Sequence, residues 1–386
     1  MFSYKDGDMN IETKIVQTGM NSDPETGSIT VPIYQTATFK HIALGKSTGY
    51  DYSRTSNPTR DQLQDSIASL ENGDAGFAFS TGMAAITAVL MLFRSGDHII
   101  ISDDLYGGTY RVVEEIFKNY NISASFIDTG KTDEVSNAIT DNTRAIFIET
   151  PSNPMMKITD IRAISNIAKA NDLLLITDNT FMTPYFQRPI ELGSDIVIHS
   201  GTKYLSGHND VLSGLVVTKT RELSEKIGFI QNSTGAVLSP FDTFLTIRGL
   251  KTLSIRLNRQ QDNALKIVEF LESNPAVKEV FYPGRNNTKD KEIHDKQATG
   301  TGGMISFSVT DVKYIEKILN NVKLISFAES LGGVESLITY PALQTHAAIP
   351  EYLRQKLGVD ETLLRLSVGI EYCDDLISDL DCAIRS

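Results

Sequence analysis

The chain contains no tryptophan and only two cysteines in 386 residues. Cys373 and Cys382 are nine positions apart, so on one helix they would point about 180° from each other and could not bridge. Without a CxxC pair or clustered His/Cys spacing they suggest a reducing cytoplasm and no structural zinc. No stretch approaches ~18 uninterrupted apolar residues, and Met1 to Asn10 has no cationic segment followed by an apolar run. A cytoplasmic protein that is neither membrane-spanning nor exported is the expectation. Positive charge is also short: 36 Lys+Arg face 48 Asp+Glu, a net −12. Such a surface repels phosphate backbones and anionic headgroups over a Debye length, which disfavours nucleic acid and membranes as partners. Met9, before Asn10-Ile11-Glu12-Thr13, reads as a start in its own right, with the first eight residues as an extension.

The composition that remains, 41% hydrophobic and 22% charged, is that of a globular protein, and the length fits two or three domains or one large one. From Ala75 onward, short apolar runs alternate with helix-period segments. Ala75 to Phe79, His98 to Ile101, Arg144 to Ile148, Leu173 to Thr177, Asp195 to His199 and Leu215 to Thr218 read as strands. Met83 to Phe93 and Thr109 to Tyr120 read as helices, and Ile161, Ile164 and Ala168 share one helical face. This alternation predicts βαβ units and an α/β fold with a mainly parallel sheet, its function lying beyond the carboxyl ends of the strands. Residues 1–54 read as an irregular arm, 55–245 as the principal domain and 246–386 as a smaller α+β C-terminal domain. The arm, rich in Thr, Ser, Gly and Asp, must rest on something else.

Several familiar motifs are missing. Gly45-Lys46-Ser47 resembles the end of a P-loop, but the leading glycine position holds Lys40. No GxGxxG follows the first strand, which weakens a nicotinamide-binding reading, and there is no HExxH. Each of the six histidines (41, 98, 199, 208, 294 and 346) reads as satisfied or superficial; the one pair of note, His199 and His208, reads as a loop pair.

Four segments carry chemistry. In Asp195 to His208 a buried strand opens into a loop holding Ser200, Thr202 and Lys203 among glycines. Lys203 is either a solvated loop lysine or a desolvated amine of lowered pKa, nucleophilic toward aldehydes. Leu173 to Asp178 ends an apolar run on a carboxylate, which is costly without a partner. Asp178 is either a turn cap or the partner of a buried cation such as a protonated pyridine nitrogen. Phe79-Ser80-Thr81-Gly82-Met83 is a strand, a small-residue turn and a helix start, which suits a phosphate. Tyr106-Gly107-Gly108 is either an ordinary glycine turn or a ring that stacks on a flat ligand. Taken together, these describe a phosphorylated aromatic aldehyde whose ring nitrogen needs a carboxylate: pyridoxal 5'-phosphate.

At this point a resemblance becomes specific. Tyr52 to Arg60, Ser80 to Met83, Asp104 to Thr109, Glu149 to Pro154, Asp178 to Phe181, His199 to His208, Ala328 to Ser336 and Arg365 to Glu371 run in order over almost the whole chain. They resemble the motifs of the Cys/Met-metabolism, or transsulfuration, family of pyridoxal-phosphate enzymes, which has the aspartate-aminotransferase-like fold. The resemblance implies that Lys203 holds the cofactor covalently and acts in catalysis with Tyr106, which stacks on the ring. Asp178 would meet the ring nitrogen. Gly82, Met83, Ser200 and Thr202 would bind the phosphate, with Tyr52 and Arg54 reaching in from a neighbouring subunit. Arg365, helped by Asn153, Ser330 and Thr345, would clamp a substrate α-carboxylate. It further implies a homotetramer of dimers that share active sites, acting on small amino acids.

Within the family, Gly108 stands where methionine γ-lyases carry cysteine, which disfavours methionine. Asp51 and Glu329 offer carboxylates for a distal ammonium; related γ-lyases tend to have Glu at position 51 and synthases Asp. Asp51 reads equally as a solvated arm carboxylate. The expected activity is a cystathionine γ-synthase working on an O-acylhomoserine, with cystathionine γ-lyase and O-acetylhomoserine sulfhydrylase as alternatives. Outside the family, a non-catalytic α/β binding protein also fits the strand–helix alternation.

Overall fold

The computed structural model describes residues 9–20, 23, 25–285, 287–347 and 349–386. The extension at residues 1–8 lies outside them. Seven strands form the main sheet: β1 (Ala75–Phe79), β2 (His98–Ser102), β3 (Ser123–Ile127), β4 (Thr143–Glu149), β5 (Leu174–Asp178), β6 (Ile196–Ser200) and β7 (Gly214–Thr218). Their order is β1-β7-β6-β5-β4-β2-β3. The β2–β3, β2–β4, β4–β5 and β5–β6 pairs are parallel, while β7 runs antiparallel to both β1 and β6. The mainly parallel sheet is thus as expected, with β7 the exception. Runs such as Ile99-Ile100-Ile101 and Ala145 to Ile148 are fully buried because helices cover both faces of the sheet.

Register places the functional ends together. Glu149 pairs with Asp178, Asp178 with Ile198, and Ser200 with Gly214. The carboxyl edge of β4, β5 and β6 is therefore one contiguous rim. The helix Gly82–Leu90 starts at the same rim after β1, capped by Thr81, whose side chain accepts from Ala84 N. The helix Ile161–Ala170 buries Ile161, Ile164 and Ala168, as its spacing predicts, and is capped by Asp160.

Two readings need correction. Thr109 to Tyr120 is not one helix: an α-helical turn (Gly107–Arg111) passes into a π-helical turn (Val112–Ile116) and then a 3₁₀ turn (Phe117–Tyr120). Val112, Val113 and Phe117 are all buried in the core beneath β2, although the pitch changes along the segment. His199 does not form a loop pair with His208: it lies inside β6, as the strand reading of Asp195 to His199 has it, and its Nε2 meets the buried Glu71 carboxylate at 2.7 Å.

A second sheet contains β8 (Val277–Phe281), β9 (Met304–Val309), β10 (Ser326–Phe327), β11 (Leu337–Thr339) and β12 (Leu363–Ser367), in the order β10-β11-β12-β9-β8. The helices Leu253–Ser273 and Cys373–Arg385 pack on it around Leu271, Ile305, Phe307, Leu366 and Leu376. The second of these helices carries both cysteines, and neither is bridged. β12 sets Arg365 opposite Ser306 and Thr339. Upstream of the main sheet, residues 25–57 form no helix or strand, and Ile42, Leu44 and Tyr52 stand exposed there. Among the described residues, no helix is long and apolar enough to cross a membrane.

Candidate active site

The rim of the main sheet and the edge of the second sheet enclose a cavity of about 190 Å³. Of the residues singled out from the sequence, Lys203, Tyr106, Gly82, Met83, Asp178, Ser200, Thr202, Asn153, Glu329, Ser330, Thr345 and Arg365 all line it. Tyr52, Arg54 and Asp51 do not. Arg54 Nη1 donates to Asn232 O at 2.7 Å and its guanidinium lies 5.5 Å from the Tyr52 ring centre. Asp51 pairs with His41 at 3.0 Å on the exposed arm.

Lys203 follows β6 in the turn after Ser200. Burial, then the positive charge of Arg365, lowers its amine from 10.5 to about 8, against an opposing pull from Glu329. Its Nζ donates to Ser330 Oγ at 2.8 Å. Ser330 has φ 92°, a left-handed conformation that side chains rarely adopt, so its backbone carries strain. Arg365 Nη2 holds the same residue by its carbonyl at 3.2 Å.

Asp178 ends β5 buried. Its Oδ1 accepts from Thr180 N at 3.0 Å and from Thr180 Oγ1 at 2.6 Å. Burial nevertheless raises its pKa, with the Thr180 bonds and the nearby His199 opposing. The carboxylate thus has no cationic side chain bonded to it among the described residues and faces the cavity, an arrangement that suits a cationic ligand group.

At the helix start, Thr81 Oγ1 and Thr81 O take the Ala84 and Ala85 amides. The Gly82 and Met83 amides have no partner among the described residues and sit at the positive end of the helix. A Cβ at Gly82 would lie 2.9 Å from Ser200 Oγ, so only glycine lets this turn and Ser200 approach so closely. Two free amides beside two hydroxyl residues make a cradle for an anion.

Arg365 is 2% exposed. Nη1 donates to Asn153 Oδ1 at 2.8 Å, and Nε has no partner. No carboxylate pairs with it among the described residues, and burial lowers its pKa to about 10. A buried guanidinium without an ion partner and with an open Nε suits an incoming carboxylate. Asn153 is itself held: His346 Nε2 donates to its carbonyl at 3.0 Å, and burial drives the His346 pKa down to about 4, so that ring is neutral.

Tyr106 offers its ring to the cavity. A Cβ at Gly108 would come within 2.4 Å of Tyr106 Cε1 and 2.8 Å of Met83 Sδ, so the glycine is what lets the ring lie there. Glu149, Thr180 and Phe181 also line the cavity, and sequence reasoning gave them no role. Glu149 was findable by the argument that singled out Asp178, since it too is a carboxylate closing an apolar strand.

A nucleophilic amine, a carboxylate for a cationic ring atom, a flat aromatic face and an anion cradle together fit one class of cofactor, a phosphorylated pyridine aldehyde. The donor set fits that group, and the fold is fold type I. The family model for Cys/Met metabolism PLP-dependent enzymes matches residues 12–385. The cystathionine gamma-lyase of Bacillus subtilis is 51% identical over 378 residues, covering 98% of this chain and all of that protein. The cystathionine beta-lyase of Lactococcus lactis subsp. cremoris is 51% identical over 376 residues, 97% of this chain and 99% of that one. The cystathionine gamma-synthase of Haemophilus influenzae is 51% identical over 371 residues, 96% of each. A crystal structure of cystathionine gamma-lyase from Lactobacillus plantarum, complexed with L-serine, superposes with a TM-score of 0.95 at 46% identity, covering 98% of this chain and 99% of that one. The chain belongs to the Cys/Met-metabolism family of pyridoxal-phosphate-dependent enzymes.

Proposed function

We propose that this enzyme is a cystathionine γ-synthase, replacing the acyloxy group on Cγ of an O-acylhomoserine by the sulfur of cysteine, with the carboxylate as leaving group. The observation that carries the substrate class is the pairing, in one cavity, of the ion-partnerless Arg365 with the Glu329 carboxylate. The first suits an α-carboxylate, the second a distal ammonium such as cysteine or cystathionine brings.

When bound, pyridoxal phosphate supplies an electron sink for negative charge at the substrate Cα. Lys203 holds the cofactor and, as a free amine near Ser330 Oγ, moves protons from Cα and Cβ so that a group on Cγ can leave. Asp178 keeps the ring nitrogen protonated, Tyr106 covers the ring, and Gly82, Met83, Ser200 and Thr202 hold the phosphate. Arg365 orients the α-carboxylate with Asn153, Ser330 and Thr345 around it. Tyr52 and Arg54 complete the phosphate site of a neighbouring subunit: their place outside their own cavity and the exposed apolar side chains of the arm support a dimer that shares its sites, and two such dimers make a tetramer.

Asp51 favours synthase over γ-lyase within the family. A second reading, cystathionine γ-lyase, is favoured by the likeness to the Bacillus subtilis enzyme. Product analysis with O-acetyl- and O-succinylhomoserine plus cysteine, set against cystathionine alone, tests both. The proposal expects cystathionine formation to dominate. Cleavage to 2-oxobutyrate far outrunning formation moves the assignment to the γ-lyase, and pyruvate as the main product refutes γ-chemistry altogether.

A further inference from the structure

Two carboxyl groups end neighbouring strands in the cavity. Glu149 closes β4, Asp178 closes β5, and the two are partners in register. Glu149 is 6% exposed and Asp178 7%. Adjacent buried carboxyls do not both ionise readily. Their hydrogen bonds set the two apart. Asp178 accepts two bonds from Thr180, both of which favour its charged form, and His199 on β6 pulls the same way. Glu149 accepts one, from Tyr106 N to Oε2 at 3.0 Å.

The other charged groups around Glu149 divide. Asp104, in the loop after β2, opposes its ionisation, as does Asp178, while Arg365 on β12 favours it. Burial is the largest effect, and the balance leaves Glu149 well above the usual carboxylate range. Asp104 is itself buried and raised to about 6, and Lys203 shares the cavity as a partly neutral amine.

We propose that Glu149 carries the proton of this pair as a neutral carboxyl whose Oε2 anchors the Tyr106 amide, leaving Asp178 the single negative charge facing the pyridine nitrogen. The second half rests on the proposed role of Asp178. Glu149 is a positioning residue. Tyr106 occupies the cap position of the turn Gly107–Arg111, which has no side-chain cap bond of its own. The bond from Glu149 therefore fixes where that turn begins and how the Tyr106 ring meets the cavity. A neutral Glu149 also leaves Arg365 free for a substrate carboxylate, while one carboxylate, Asp178, faces one protonated ring nitrogen.

Two variants and one spectroscopic signature test this. Glutamine has the shape of protonated glutamate, with a carbonyl to accept the Tyr106 amide and an NH₂ in place of the O–H. Infrared difference spectra of the ligand-free protein, wild type minus Glu149→Gln near neutral pH, should contain the C=O stretch of a protonated carboxyl. In equilibrium titration with pyridoxal phosphate, Glu149→Leu should raise the dissociation constant about tenfold or more, as expected when a buried amide loses its acceptor. Glu149→Gln should recover the affinity to within about threefold of wild type. Absence of the protonated-carboxyl band overturns the proposal, and so does a Gln variant that binds as poorly as the Leu variant. Should the Leu variant fail to fold, the infrared signature alone decides. Asp178→Asn binding the cofactor as tightly as wild type would overturn the placement of the ring nitrogen while leaving the proton on Glu149 untouched.

Discussion

Lys203 should titrate as an unusually weak base before any cofactor arrives, and its environment fixes the size of the effect. Its amine falls from 10.5 to about 8, chiefly through burial and then through Arg365. That drop corresponds to about 3 kcal/mol of preference for the neutral amine. At pH 7 it leaves roughly a tenth of Lys203 unprotonated, against roughly 0.03% for an ordinary lysine, an advantage of about 300-fold in reactive amine. Competitive labelling of the ligand-free protein with a trace acylating reagent, read peptide by peptide by mass spectrometry, reports the amine fraction of each lysine against pH. Lys203 labelling should rise about tenfold per pH unit below pH 8 and level off above it, while exposed lysines keep rising. Two substitutions fix the sign of the neighbouring charges. Arg365→Met should move the Lys203 curve to higher pH, and Glu329→Gln to lower pH, because those charges act in opposite directions. A Lys203 curve that climbs unbroken alongside the exposed lysines refutes the argument.

Other expectations rest on different parts of the structure. Gly108→Ala places a methyl group 2.4 Å from Tyr106 Cε1, so the ring must shift; overpacking of this kind costs about 1–3 kcal/mol, and cofactor affinity by absorbance titration should fall accordingly. Asp104 is raised by burial from 3.8 to about 6, so its contribution to stability is fully present below pH 3.8 and is lost as pH rises through about 6. Asp104→Asn should therefore gain on wild type between acidic and alkaline pH, by up to about 3 kcal/mol in denaturant midpoints; a difference independent of pH would contradict it. The fully buried Glu71 accepts from His199 Nε2 and Asn179 Nδ2, and Glu71→Leu should destabilise the protein by about 3 kcal/mol. Denaturant unfolding of that variant, unchanged from wild type, would show the pair to be dispensable.

Most of the main sheet is legible in sequence because its strands are buried on both faces and appear as unbroken apolar runs. β3, with the sequence Ser-Ala-Ser-Phe-Ile, escapes this test: it is an edge strand, only partly covered, and has little apolar signal to offer. The segment after Tyr106 misleads for the opposite reason, since Val112, Val113 and Phe117 look like one helical face and are buried together, yet the chain changes pitch along it. At the site, Lys203 and Asp178 stood out by their place at or just after the end of an apolar strand, Arg365 only through the family resemblance, and all three line the cavity. The partners that tune them come from distant strands and loops and depend on register, as in the pairing of Glu149 with Asp178. The arm residues Asp51, Tyr52 and Arg54 show the remaining boundary. Their motif is plain, but what they meet is not in the same chain's cavity.

The central claim is that a single lysine holds a pyridoxal phosphate at the rim of the main sheet. The most direct measurement is the visible absorption spectrum of the purified protein and of Lys203→Ala, each incubated with pyridoxal phosphate and then dialysed. Wild type should be coloured, with an absorption band that borohydride bleaches while fixing the label on Lys203, and the variant should dialyse colourless. A Lys203→Ala protein that retains the band, or a wild type labelled at another lysine, contradicts the assignment of the site.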